Sequence, residues 1–212
     1  MTIIPELKTR GEDREIRSLP MSEMRVEARE GQAPVIAGYA AVFDQPSEVM
    51  LSFREIIRPG AFARSLAGGD VRALWNHDTA QPLGRTKNGT LQLAEDARGL
   101  KITITPPDTA WGRDALESIR RGDVDQMSFG FTALKENWTE DGVGFPLREL
   151  LEVKLWEVSP VTFPAYPDTT VAVRNMEAAG LGRQSAQEDE AALPEPWRKA
   201  YREREIQIGG AI

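Results

Sequence analysis

From about residue 24 to about residue 158 the chain is written in short period-two runs. Each is broken by Gly, Pro or a polar turn cluster before it reaches helical length. That punctuation restricts the fold more than any other feature, because short strands must pair with neighbours to satisfy their backbone N–H and C=O groups. Arg25 to Arg29 alternates as a half-buried strand, and Val35 to Phe43 is a longer β-type run with Gly38 inside it. Val71 to His77 reads as a strand leading into a turn. Leu91 to Leu93 and Leu100 to Thr105 are two more strands, separated by the turn-rich Glu95 to Gly99. Met127 to Leu134 and Leu150 to Val158 follow, with a polar loop around Asn137 to Gly144 between them.

Helical signals are fewer. Pro59-Gly60 opens a short stretch, Ala61 to Leu66, which Gly68-Gly69 ends. Asp108 or Thr109 caps a second, in which Trp111, Ala115, Leu116 and Ile119 fall at helical spacing. Arg120 and Arg121 suit its negative C-terminal end, and Gly122 its left-handed stop. Several strands with two or three helices predict the α+β class, as an antiparallel, barrel-like β core surrounded by helices. Residues 1–21, polar and charge-mixed with Pro5 and Pro20, read as a flexible leader, and residues 22–175 as the folded domain. Residues 176–212 shift to Ala, Gly, Gln and acids and read as a linker and tail. In that tail Pro196 starts a short helix carrying Trp197 and Tyr201 four apart, either a frayed end or a docking peptide.

Composition closes off several functions. No run of about 18 apolar residues exists, and the N-terminus lacks an apolar signal core, which argues against a membrane span and against secretion. A net charge of -7 argues against a nucleic-acid partner. The absence of cysteine removes disulfides, thiolate metal sites and cysteine nucleophiles, and fits a cytoplasmic setting. The single histidine, His77, excludes any mechanism needing two imidazoles and any zinc site built from several. It leaves one candidate for a proton shuttle at neutral pH. No metal and no cofactor are expected.

Three side chains are candidates for chemistry. In Gln126 to Phe131, alternation puts Met127, Phe129 and Phe131 on a core face, and Ser128 and Gly130 on the other. Serine and glycine leave space above the strand, which an extended substrate would need to approach a hydroxyl nucleophile. The plainer alternative is that Ser128 faces water or a neighbouring strand. A serine hydroxyl needs a base within hydrogen-bond reach, and His77 is the one imidazole available. Alternation with Val71, Ala73 and Trp75 places it at the rim of the core, where a purely structural histidine is the competing reading. Leu151, Val153, Leu155 and Glu157 form an apolar face ending in a carboxylate, which needs a partner if buried. Orienting an imidazole would satisfy it, as would an ion pair with an arginine or a strand end in solvent. Asp78 is a weaker alternative, because a strand neighbour of His77 points the other way.

Together these segments resemble the tailed-bacteriophage prohead proteases. The matching stretches are Gly38 to Phe43, Ile57 to Phe62, Asn76-His77-Asp78, Pro82 to Thr86, Arg121 to Phe131, and Glu157 to Pro167, in the family's order. The resemblance implies a fold like that of herpesvirus assemblins, a β-barrel ringed by helices with serine and histidine on neighbouring strands. Those positions map onto Ser128 and His77. The herpesvirus third member is a second histidine, which this chain lacks, and Glu157 stands in the segment where an acid would replace it. An oxyanion donor would come from backbone N–H groups or from an arginine, Arg148 and Arg174 being the ones weighed. The implied activity is that of a serine endopeptidase inside the procapsid, in the host bacterial cytoplasm. Its implied partners are the major capsid protein, whose scaffolding segment it cleaves, and a second copy of itself, with self-cleavage at the loose ends. The alternative is an inactive capsid-assembly protein of the same fold; a hydrolase of small esters or amides is a third reading.

Overall fold

The computed structural model describes residues 14–163 except 21–22, 29, 32, 48–49, 51–52 and 143–144, together with Ala172, Asn175, Met176 and Ala179. The expected linker and tail therefore fall almost wholly outside the described residues, as does Arg174.

A long hairpin organises the fold. Strands β9 (Gln126–Glu140) and β10 (Pro146–Val161) pair antiparallel along nearly their whole length. The sequence suggested a loop from Asn137, because the residues there are polar. They stay in the strand because β10 supplies ladder partners as far as Glu140 and because Trp138 packs edge-on against Phe53, ring centroids 5.2 Å apart. On the other side of β10 lie β4 (Arg54–Ile57), paired parallel at Leu147 to Leu150, and β5 (Arg72–Trp75), paired parallel at Glu157 and Val158. β6 (Asp78–Arg85) adds antiparallel to β5 and carries Pro82 on the sheet edge, where a missing N–H is tolerated. β1 (Glu15–Pro20) adds antiparallel to the free side of β9. Thus Glu15–Pro20 of the expected flexible leader form a strand, ordered by the backbone bonds that β9 offers.

A second sheet, wholly antiparallel, runs in the order β2 (Arg25–Glu27), β3 (Val35–Val42), β8 (Gly99–Ile104), β7 (Leu91–Glu95). One buried apolar cluster joins the sheets: Ile36, Ala40, Leu100, Ile102 and Ile104 from the second, Met127, Phe129, Phe131, Val153 and Leu155 from the first. Phe129 sits at its centre, edge-on to Phe62 at 5.8 Å and tilted on Phe131 at 5.2 Å. Each large side chain withdrawn from water here contributes about 1.5–3 kcal/mol.

Two α-helices are described over their full length, α1 (Ala63–Leu66) and α2 (Ala110–Arg121). α2 begins as its sequence predicts, the Thr109 hydroxyl accepting from Gly112 N–H at 3.3 Å, and ends at Gly122 with φ 80°. Two expectations are corrected. The large sheet is mixed, not antiparallel, and the sheets stay open instead of closing into a barrel. Nor do helices ring the core: among the described residues α1 is a single turn stopped by Gly68-Gly69, and α2 alone is long enough to cover a sheet. None of the described helices is long and apolar enough to cross a membrane.

Candidate active site

Met127, Phe129 and Phe131 enter the core, as their alternation requires, so Ser128 and Gly130 lie on the opposite face of β9. That face is not bare at Ser128. β1 runs beside it with Ser18 opposite Ser128, the serine is 0% exposed, and its Oγ donates to the Arg17 carbonyl oxygen at 2.9 Å. The neighbouring-strand alternative is therefore the one realised in this conformation.

Glu157 reaches the same face through an irregularity. Leu155 pairs with Phe131 and Glu157 with Gly130, so two steps along β10 match one step along β9, leaving Trp156 as the extra residue of a β-bulge. The bulge reverses the alternation. Leu155 stays in the core while Glu157 turns out of the apolar face on which simple alternation placed it, to stand over Gly130. Gly130 has no side chain for good reason: a Cβ there would lie 2.8 Å from Glu157 Oε1.

His77 does not continue its strand either. β5 stops at Trp75, which pairs with Asp78, and the two residues between them both adopt the left-handed region, Asn76 at φ 50° and His77 at φ 61°. This is the geometry of a two-residue hairpin turn whose twist suits the flanking strands. A left-handed conformation is tolerated by asparagine and costs more for histidine, roughly 1 kcal/mol or more. Two contacts to the end of β10 hold it. Asn76 N–H donates to the Pro160 carbonyl at 3.0 Å, and Asn76 Oδ1 accepts from Thr162 N–H at 2.8 Å.

The turn delivers the imidazole to Glu157. Nδ1 and Glu157 Oε1 are 2.7 Å apart, and Glu157 Oε2 accepts from the Ser159 hydroxyl at 2.5 Å. A carboxylate accepts only, so Nδ1 carries the hydrogen and the neutral ring presents a lone pair at Nε2. That Nε2 is buried and has no hydrogen-bond partner among the described residues. Buried ring nitrogens are ordinarily satisfied, and a catalytic role is one physical reason for an exception. Asp78, the other acid weighed for His77, caps its own strand by accepting from Ala80 N–H at 2.8 Å.

Of the three predicted residues, His77 and Glu157 are bonded directly, and Ser128 joins them through the sheet. β10 lies between β9 and β5, so the serine and histidine are not on neighbouring strands as expected. Glu157 stands between them. Ser159 is the register partner of Ser128, a pairing that brings side chains within about 5 Å. The Ser128 hydroxyl points to Arg17 and not to His77. Ser159 and Asn76 went unassigned in the sequence, and the space expected over Gly130 for a substrate is taken by Glu157. Ser159 was findable, since it lies two residues from Glu157 on one strand face; Asn76 was findable as a left-handed-tolerant residue beside the histidine.

Arg148 is corrected as an oxyanion donor. It is 0% exposed, and its guanidinium is committed to Glu15, Glu55 and Glu136. Two of the matching stretches prove to be structural. Arg85 forks onto Asp70 (2.7 and 2.6 Å), which holds that carboxyl at a pKa of about 2, and the Glu95 carboxylate accepts from Gly60 and Phe62 N–H, pinning the turn before α1. Among the described residues no three His, Asp or Glu side chains gather as metal ligands.

Comparison with known proteins agrees with the resemblance. The prohead protease of Enterobacteria phage HK97 is 29% identical over 163 residues, spanning 74% of this chain and 68% of that protein. The capsid assembly protease of bacteriophage T4 aligns in structure over 69% of this chain and 95% of its own, with 11% identity and a TM-score of 0.47. The profile of the caudovirus prohead serine proteases matches residues 22–182, three quarters of the sequence, and the chain belongs to that family.

Proposed function

We propose that this chain is a serine endopeptidase of procapsid maturation. In this reading Ser128 attacks the peptide carbonyl, His77 takes the hydroxyl proton at Nε2 and Glu157 holds the ring. The observation that carries it is a buried Nε2, without a partner among the described residues, on an imidazole whose other nitrogen is bonded to a carboxylate. That is the arrangement in which an acid selects the tautomer and stabilises the imidazolium formed as the proton transfers. Ser159 extends the chain of support by occupying the second carboxylate oxygen. Backbone N–H groups serve as the oxyanion donors, Arg148 being spoken for.

The substrate in this reading is the scaffolding segment of the major capsid protein, cut inside the procapsid within the host cytoplasm. The chain's own ends are further substrates, and a second copy is a further partner. For catalysis in this reading, the Ser128 hydroxyl must give up the Arg17 carbonyl and turn toward His77.

Co-expression with the capsid protein tests this. Ser128→Ala and His77→Ala should each leave the capsid precursor uncut with the protease still folded, whereas Glu157→Gln should slow cutting by about 10²–10⁴-fold. One observation favours the second reading, an inactive assembly protein: Ser128 is wholly buried. Unchanged capsid-protein length whether or not Ser128 is present would establish that reading and end the peptidase assignment.

A further inference from the structure

We propose that the β9 edge beside Ser128 is a seat for an extended polypeptide segment carrying Glu-Xaa-Arg. β1 fills the seat in cis, and Glu55 and Arg148 select its occupant. The inference rests on the reading of Ser128 as nucleophile and deepens it by naming the class of segment recognised.

Three observations converge. First, β1 meets β9 as a bound peptide would. It is antiparallel over Glu15 to Pro20, its Arg17 carbonyl oxygen lies 2.9 Å from Ser128 Oγ, and Ser18 stands opposite the serine. Second, β1 lies outside residues 22–182, the stretch that the family profile matches. Third, two side chains of β1 are read by forks. Arg17 Nε and Nη2 donate to the two oxygens of Glu55 at 2.8 and 3.0 Å, and Arg148 Nη1 and Nη2 donate to the two oxygens of Glu15 at 2.7 and 2.8 Å. Bidentate pairs of this kind fix the identity of a side chain as well as its position.

The readers do not depend on β1 for their own placement. Glu55 comes from β4, Arg148 from β10, and Arg148 is also bonded to Glu136 of β9 and to Glu55. With β1 withdrawn, two carboxylates and one guanidinium remain. That charge balance accepts an arginine at Glu55, while Arg148 offers its remaining hydrogens to an acid two residues earlier. Alternation puts residues i and i+2 of an extended segment on one face, which is the spacing of Glu15 and Arg17. Addition of a strand to an open sheet edge supplies affinity through the backbone and specificity through alternate side chains.

The test uses the full-length chain with Ser128→Ala, so that nothing is cut, and the labelled peptide Glu-Ile-Arg-Ser-Leu-Pro, followed by fluorescence anisotropy. Adding Arg17→Ala, which releases Glu55 from its β1 partner, should tighten peptide binding by about tenfold or more, because the cis competitor is weakened. The peptide with its charges exchanged, Arg-Ile-Glu-Ser-Leu-Pro, should bind about tenfold more weakly or worse, and Glu55→Gln in the same background should erase most of that preference. Equal binding of the two peptides, no gain from Arg17→Ala, or a chain that unfolds on that change would overturn the proposal. Hydrogen exchange on the unsubstituted chain gives a second arm. The β1 amides should exchange before those joining β9 to β10, and their exchange only with global unfolding would make β1 an integral strand and sink the idea. Because these readouts are binding and exchange, they stand or fall apart from the capsid-cleavage assay.

Discussion

Gly130→Ala isolates the positioning of the acid from its chemistry. Gly130 is not among the positive-φ glycines, so alanine fits the backbone and removes the entropic penalty of glycine in a strand, roughly 0.5–1 kcal/mol. The added Cβ, however, would lie 2.8 Å from Glu157 Oε1, 3.3 Å from its Cγ and 3.4 Å from its Cδ. The carboxylate must move, and it is held by His77 at 2.7 Å and by Ser159 at 2.5 Å. Losing a charge-assisted bond of this kind costs about 1.5–3 kcal/mol, so the net destabilisation is about 1–2 kcal/mol and the melting temperature falls by only a few degrees. Cleavage should fall much further, by about 10²–10⁴-fold, because an imidazole without its orienting acid no longer keeps its tautomer. The assay is single-turnover cleavage of the capsid precursor beside circular dichroism of the same samples. Adding Glu157→Asp, one methylene shorter, makes room for the Cβ and should restore part of the rate. A folded Gly130→Ala protein that cuts at the original rate would refute the reasoning.

Other outcomes follow from the same contacts. Asn76→Ala removes the acceptor for Thr162 N–H and puts a residue less suited to φ 50° into the turn; it should cost about 1–2 kcal/mol in denaturant titration and reduce cleavage, and Asn76→Gly should recover most of the stability. Arg148→Met leaves Glu15, Glu55 and Glu136 buried with one cation among them, and should lower stability by about 3–5 kcal/mol, read by thermal melting. Glu15 titrates below its ordinary 4.5: burial pushes it up, but the hydrogen bond and charge of Arg148 and the charge of Arg17 outweigh that. Its folded value being the lower one, its contribution is complete above pH 4.5 and is lost as pH falls from there through the folded value. Protection of the β1 amides against hydrogen exchange should therefore fail in acid before that of the β9–β10 ladder.

What was legible in the sequence is what local periodicity encodes. Met127, Phe129 and Phe131 alternate into the core, and the signals of α2, Thr109 before it and Gly122 after it, mark its real ends. What was not legible required a partner strand. The polar stretch beyond Asn137 carries no β signal of its own and is a strand because β10 pairs with it. β4 and β6 are bracketed by prolines, glycines and charges and went unread, and β1 takes its order from β9. The candidate residues could be named from the sequence, but their geometry could not. His77 was assigned to a strand face and lies in a left-handed turn, and Glu157 was assigned to the end of the core face and stands on the opposite one. In both places the sequence obeys alternation until the structure breaks it. Neither a hairpin turn at Asn76-His77 nor a bulge at Trp156 has a period for a reader to find.

Those two breaks are coupled through β10, which makes that strand the mechanical centre of the molecule. It pairs with β9 on one side and with β4 and β5 on the other, and the histidine turn is held by its Pro160 carbonyl and by the N–H of Thr162, the residue after it. The carboxylate raised by a bulge in β10 and the imidazole turn bonded to Pro160 are both positioned from that strand. Ser128 belongs to the other kind of element. Its hydroxyl is bonded to β1, an edge strand that precedes the family's matched residues. The rigid half of the proposed triad is thus assembled by the innermost pairing of the sheet, and the half that must be uncovered sits where a single strand can leave. If His77 and Glu157 separated in solution while β1 stayed bound, seen as exchange broadening of the imidazole resonances alongside slow β1 exchange, that division of labour would be reversed and the base would be the gated group.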